Sequence, residues 1–185
     1  MEHILGTVFR IGISGHRDLA SSQKQRNIRL LKSYLLELGW AYPDVELRVV
    51  TALADGADRL IVKAARELGI GFEVVLPMPK DLYAVDFDAA SLAEFDMLLH
   101  EAVAFRSVGL CPGNTLESIA VYSPQRDRQY RQVGMEICDL ADVMVFMSNG
   151  VKNGKVGGTE DIKVYALERN KAMHVIPCER EVNSR

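Results

Sequence analysis

The chain has 185 residues, 48% hydrophobic and 25% charged, with a formal net charge of −3. That length suits one domain with a substantial core, and the composition is that of a globular protein. The acidic balance gives no general electrostatic case for DNA, RNA or an anionic membrane, and no apolar run is long enough to cross a bilayer, so neither nucleic acid nor membrane is expected as a partner.

Along the chain, FRIGISG (Phe9 to Gly15) alternates apolar residues and ends in glycine, as a first buried strand opening into a turn does. Ile28, Leu31, Leu35 and Leu38 recur at helical spacing, with Gly39 as a stop. VELRVVTAL predicts a second strand, DGADRLIVKAARELGI a helix ending at Gly69, and FEVVLPMP a third strand closed by two prolines. Phe95, Leu98, Leu99 and Ala102 suggest a helix, AVAFRSVGL finishes as a strand, and CPGNTLESIAVYSPQ has the chemistry of a loop. In RDRQYRQVGMEICDLA, Tyr130, Val133, Ile137 and Leu140 form one helical stripe. DVMVFMS is then a continuous apolar strand, with Asp142 capping or pairing beside it. The glycine-rich NGVKNGKVGG leads into a last helix and strand, TEDIKVYALERNKAMHVI.

Apolar strands alternating with helices predict an α/β fold, a mostly parallel central sheet with helices on both faces. MEHILGTVFR lacks the basic start and long apolar middle of a signal peptide. Cys111, Cys138 and Cys178, odd in number and widely spaced, fit reduced thiols in a cytoplasm. His3, His16, His100 and His174 stand apart from one another and from the cysteines, so no metal and no cofactor is expected. The domain is expected over 1–178, with 179–185 as a polar C-terminal tail.

Three loops that follow strands are expected to converge on one edge of the sheet. In SGHRDL, glycine permits close backbone approach, and His16 and Arg17 either reach a phosphate or sugar or are solvated turn residues. In ALADGADRL, Asp55 and Asp58 either cap a helix or accept from ribose hydroxyls, while Arg59 pairs with a phosphate or an internal acid. In GKVGGTED, Gly157 and Gly158 leave a helix N-terminus open to an anion, and Thr159 adds a hydroxyl donor. Arg126, Arg128 and Arg131 make one short basic face on the helix that also carries Gln129 and Tyr130. Tyr130 packs in the core, or stacks on a base if it lies at the exposed beginning of that helix.

Taken together, IGISGHRDL, ALADGADRLIVKAARELGIGFEVVLPMP, RDRQYRQVGMEICDLADVMVFMSNG and GGTEDIKVYALERNKAMHVI resemble the SLOG superfamily, the Rossmann-like domains that include the LOG nucleotide phosphoribohydrolases and the DNA-processing protein A fold. The match runs in order along the chain and is weakest between Asp81 and Pro124. The resemblance implies a single Rossmann-like three-layer domain. It also implies a pocket for a nucleotide-derived small molecule over Gly12, Ser14, Gly15, His16, Arg17, Asp55, Gly56, Asp58, Arg59, Gln129, Tyr130, Gly157, Gly158 and Thr159. Homodimers are common in the superfamily, and a sensing module would need an effector domain or neighbouring protein.

Two departures from the LOG pattern bear on catalysis. There a glutamate follows three residues after the Gly-Thr threonine, and counting from Thr159 that position is Ile162. Ser148-Asn149-Gly150 stands where similar domains carry an aromatic-Asp-Gly. A missing general acid–base group forfeits about 10²–10⁴-fold in rate but leaves binding intact. Binding or sensing of a nucleotide derivative is therefore the expected function. The alternative is an N-glycosidic hydrolase of a nucleoside phosphate, with Glu160 or Asp161 as its carboxylate.

Overall fold

A computed structural model describes residues 7–152 and 154–181. The first six residues, on which the signal-peptide reading partly rests, and the last four of the polar tail lie outside that range. Six strands, β1 (Val8–Gly15), β2 (Glu46–Thr51), β3 (Gly71–Leu76), β4 (Ala104–Ser107), β5 (Val143–Ser148) and β6 (Ala172–Pro177), form one sheet in the order β4-β3-β2-β1-β5-β6. Every neighbouring pair is parallel, with Ile11 of β1 opposite both Val49 and Val143.

Burial explains the sequence patterns. The interior strand β5 is buried at all six positions, which is why it reads as an unbroken apolar run. β4 is a short edge strand exposed at all four positions, so its pattern is weak.

The helices are α1 (Lys24–Ala41), α2 (Ala57–Glu67), α3 (Lys80–Ala84), α4 (Ala89–Glu101), α5 (Leu116–Ile119), α6 (Pro124–Leu140) and α7 (Thr159–Glu168). They make the outer two of three layers. On one side Ile11, Ile13, Val49 and Val74 pack with Leu31 and Leu35 of α1, Ile61 of α2 and Phe95 of α4. On the other, Val50, Val75, Met144 and Phe146 pack with Val133 and Ile137 of α6 and Ile162 and Ala166 of α7. α1 runs past Gly39 to Ala41, and α3 and α5 lie in the stretch where no such helices were expected. Gly69, at φ 71°, closes α2 as expected, its N–H donating to Arg66 O at 3.1 Å. Asp142 pairs with β1, accepting from Arg10 N at 2.7 Å.

The described end of the polar tail is docked. Arg180 grips Asp18 through two nitrogens at 2.7 and 2.9 Å, and Glu181 N donates to Asp18 O at 2.8 Å. No helix among the described residues is long and apolar enough to cross a membrane.

Candidate functional site

Parallel strands deliver all their following loops to one edge of the sheet. Chain order reverses at β1, with β2 on one side and β5 on the other, and loops diverge there to leave a crevice. A cavity of about 510 Å³ opens at that point. Its floor is apolar, from Ile13, Val133, Ile137 and Ile162, and its walls come from the loops after β1, β2, β3 and β5, joined by Tyr122 from the segment after β4 and Arg180 from the segment after β6.

The loop after β1 brings Ser14, Gly15, His16 and Arg17 to the cavity. His16 N donates to Met147 O at 3.1 Å, and His16 O accepts from Ala57 N at 3.1 Å, which locks the turn between β5 and α2. The His16 ring reaches across the crevice, where Nε2 lies 3.0 Å from the Asn149 side-chain oxygen and 3.2 Å from its backbone N; protonated, it donates to the oxygen, and unprotonated, it accepts from the N–H. The Arg17 guanidinium sits 3.5 Å from Asp55 and 3.6 Å from Asp86 and over the Phe87 ring. Gly12, within β1, does not line the cavity. A Cβ on it would fall 2.4 Å from the Met144 sulfur and 3.0 Å from Ala141 Cβ, so its place is to let α6 lie close on the sheet.

In the second loop, Gly56 has φ 77°, and a Cβ there would come within 2.4 Å of His16 O. Asp58 turns inward and accepts from Thr51 Oγ1 at 3.0 Å and from the amides of Ala52 and Ala54, tying its own loop. Burial pushes its carboxyl up to about 6, against the pull of those three donors and Arg17. Asp55 and Asp58 line the cavity, but Arg59 does not. Arg59 is buried, bonding Leu53 O at 3.2 Å and Ser91 O at 2.9 Å and pairing with Asp55 and Glu94. Of the two roles expected for it, the structure shows the internal acid pair.

The third loop puts Gly157, Gly158, Thr159 and Glu160 on the cavity wall. Gly157 has φ 72° and packs on α6, where a Cβ would fall 2.7 Å from Arg131 N. The first intrahelical bond of α7 runs from Ile162 N to Gly158 O at 3.1 Å, so the N–H groups of Thr159, Glu160 and Asp161 precede the ladder. The two acids diverge. Glu160 takes the Ser148 hydroxyl and faces the cavity, whereas Asp161 is held by Arg131 at 2.9 Å and Gly157 N at 2.9 Å and does not line it. Ile162, 1% exposed, is part of the floor.

A fourth contribution was absent from the sequence reading. The segment after β3 supplies Tyr83 and Asp86, both lining the cavity. The Asp86 side chain is 1% exposed and accepts from Arg126 Nη2 at 2.8 Å and from the Tyr130 hydroxyl at 2.5 Å, and Arg126 Nε donates to that hydroxyl at 2.7 Å. Burial and the bond to Asp86 raise the Tyr130 phenol well above its ordinary value. Arg126 is therefore not on a basic face: it is buried beneath the cavity wall and also bonds Leu82 O at 3.0 Å. Gln129 is buried outside the cavity, holding Cys111 N at 3.1 Å, Asn114 Nδ2 at 3.0 Å and Gly109 O at 2.6 Å. The only sequence signal for Asp86 was an acid shortly after a strand.

The architecture and the crevice define an α/β, Rossmann-like domain with a cavity at the switch point of its sheet. No protein-family model matches the sequence, and no curated protein does. Among solved structures the chain is similar to DNA processing protein A from Streptococcus pneumoniae, with a TM-score of 0.62 and 15% identity over 96% of this chain. It is also similar to DNA processing protein A from Helicobacter pylori, with a TM-score of 0.55 and 16% identity over 96% of this chain. The chain spans 52% of the first protein and 68% of the second. At such identity the likeness is one of fold, and it is the fold that the SLOG resemblance implied. One expectation is corrected: net charge argued against nucleic acid, yet the Helicobacter pylori protein is described by its single-stranded DNA binding mode. Overall charge reports on solubility and long-range attraction, and it does not report what a fold's crevice accepts.

Proposed function

We propose that the chain binds a nucleotide-derived small molecule in the crevice between β1 and β5. The observation that carries this is the meeting of three unlike surfaces around about 510 Å³: the start of α7 opened by Gly157 and Gly158, the guanidinium of Arg17, and an apolar floor. A volume of that order suits a mononucleotide. Amides at a helix start and a guanidinium favour phosphate, and Asp55 offers an acceptor for ribose hydroxyls. Apolar side chains favour the base.

The test is a thermal-shift screen of nucleotides, cyclic nucleotides and ADP-ribose, with each stabilising compound incubated and its products separated. A ligand at a hundred times its dissociation constant stabilises by about 2.7 kcal/mol, and we expect such a compound to be recovered intact. If none stabilises, the proposal falls. Glu160 in the cavity wall favours one alternative, N-glycosidic hydrolysis. Free base released by the wild type and not by Glu160→Gln would establish it. The likeness to a protein described as binding single-stranded DNA favours another, in which the crevice seats one unit of a strand. An oligonucleotide that binds where mononucleotides do not would support that.

A further inference from the structure

Tyr122 is 78% exposed, and it lines the cavity mouth. One exposed apolar side chain is ordinary, but three gather at this mouth: Val151 and Val156 of the loop after β5 are also exposed and also line it. The two sides are neighbours, because Gly157 packs on the first turns of α6, against Asp127 O and Arg131 N, and Tyr122 stands just ahead of that helix.

The backbone under Tyr122 is fixed, so its exposure is built in. Ser123 caps α6, accepting from Arg126 N at 3.1 Å, and its hydroxyl donates to Ser118 O at 2.6 Å. Pro124 begins the helix, and Thr115 and Ser118 form a capping box on α5. A hydrophobic residue in the position of Tyr122 often packs against the fourth helical residue, as a hydrophobic staple. Here that residue is Asp127, so the staple has no apolar partner.

We infer that Tyr122 stacks on the base of the bound nucleotide and so discriminates base-bearing ligands from bare sugar phosphates. This rests on the nucleotide-binding proposal and adds the element that recognises the heterocycle. An aromatic face tolerates any base, so preference follows stacking area, purines over pyrimidines. The valines supply apolar cover.

Calorimetric titration of the four ribonucleoside 5′-monophosphates and of ribose 5-phosphate tests this on the wild type, Tyr122→Ala, Tyr122→Leu and Tyr122→Phe. Loss of stacking is expected to weaken the purine nucleotides about tenfold or more in the Ala and Leu variants. The Phe variant keeps wild-type affinity, and ribose 5-phosphate binds all four proteins alike. Equal nucleotide affinity in Tyr122→Ala and wild type would overturn the inference, as would a parallel loss of ribose 5-phosphate. If the wild type takes neither nucleotide nor sugar phosphate, the nucleotide-binding proposal itself fails first. Unchanged melting temperatures of the variants are expected from the exposure and keep affinity separate from folding.

Discussion

Asp58 is buried inside its own loop, so its protonation bears on stability. Its carboxyl is pushed up to about 6 by burial, from an ordinary 3.8, despite the Thr51 hydroxyl and two amides. The native acid therefore holds its proton more tightly than the unfolded one. The stability this confers is complete below about pH 4 and is lost as pH rises through about 6, an amount of about 3 kcal/mol. Denaturant unfolding of wild type and Asp58→Asn across pH 4 to 7.5 isolates it: the wild type should lose ground to the variant as pH rises. A gap that stays constant or widens in favour of the wild type would mean that the three donors outweigh burial. Asp86 shows why such residues escape a sequence reading. In DLYAVDFDAA it is one acid among Asp81, Asp86 and Asp88, and only the fold brings Arg126, forty positions on, against it. Arg126 misled for the same reason. Beside Arg128 and Arg131 it read as part of one short basic face, yet its side chain is 1% exposed.

At the level of elements, the start of α7 depends on two adjacent glycines that do different things. Gly157 is at φ 72° with α6 backbone where a Cβ would go, 2.7 Å from Arg131 N. Gly158 is an ordinary extended N-cap at φ −76°, where a Cβ would meet Lys155 O at 3.1 Å, a contact relieved by a few tenths of an ångström. Gly157→Ala should therefore lift the loop from α6 and cost about 1–3 kcal/mol, with a matching loss of ligand affinity. Gly158→Ala should cost clearly less. Urea unfolding of the two variants decides it, and equal losses would mean that loop conformation is not what seats α7. The longer elements were legible because their periodicity is the imprint of burial: Val133 and Ile137 share the α6 stripe that meets Ile162. The shorter ones were not. The five residues of α3 and the four of α5 are too few to repeat a pattern, and β4 is exposed throughout. Those elements form the wall carrying Tyr83, Asp86 and Tyr122, so the part of the cavity hardest to read was also the part without period.

Over the whole molecule, a net charge of −3 repels an anion at long range, so attraction must be local. The topology that makes it local was readable from strand–helix alternation, since a parallel sheet sends every strand's following loop to one edge. What alternation could not give was which cations stand there. The fold takes Arg126 and Arg59 inside and leaves Arg17, Lys155 and Arg180 lining the cavity. Arg17 and Arg180 already face carboxylates, so a phosphate competes with Asp55, Asp86 and Asp18 for them. Among the described residues these three cations line the crevice and can neutralise about three phosphates, which for a single strand gives a slope of log K against log salt near −2. Fluorescence anisotropy of a labelled oligothymidylate at several salt concentrations measures that slope. A value near −2 that becomes shallower in Arg17→Ala would locate binding at the crevice. A slope of −5 or steeper, indifferent to Arg17, would require a run of phosphate contacts outside it, and the cavity would then not be the main binding surface for a strand. A mononucleotide should show the weaker dependence of a single phosphate, because only one counter-charge is exchanged at the start of α7.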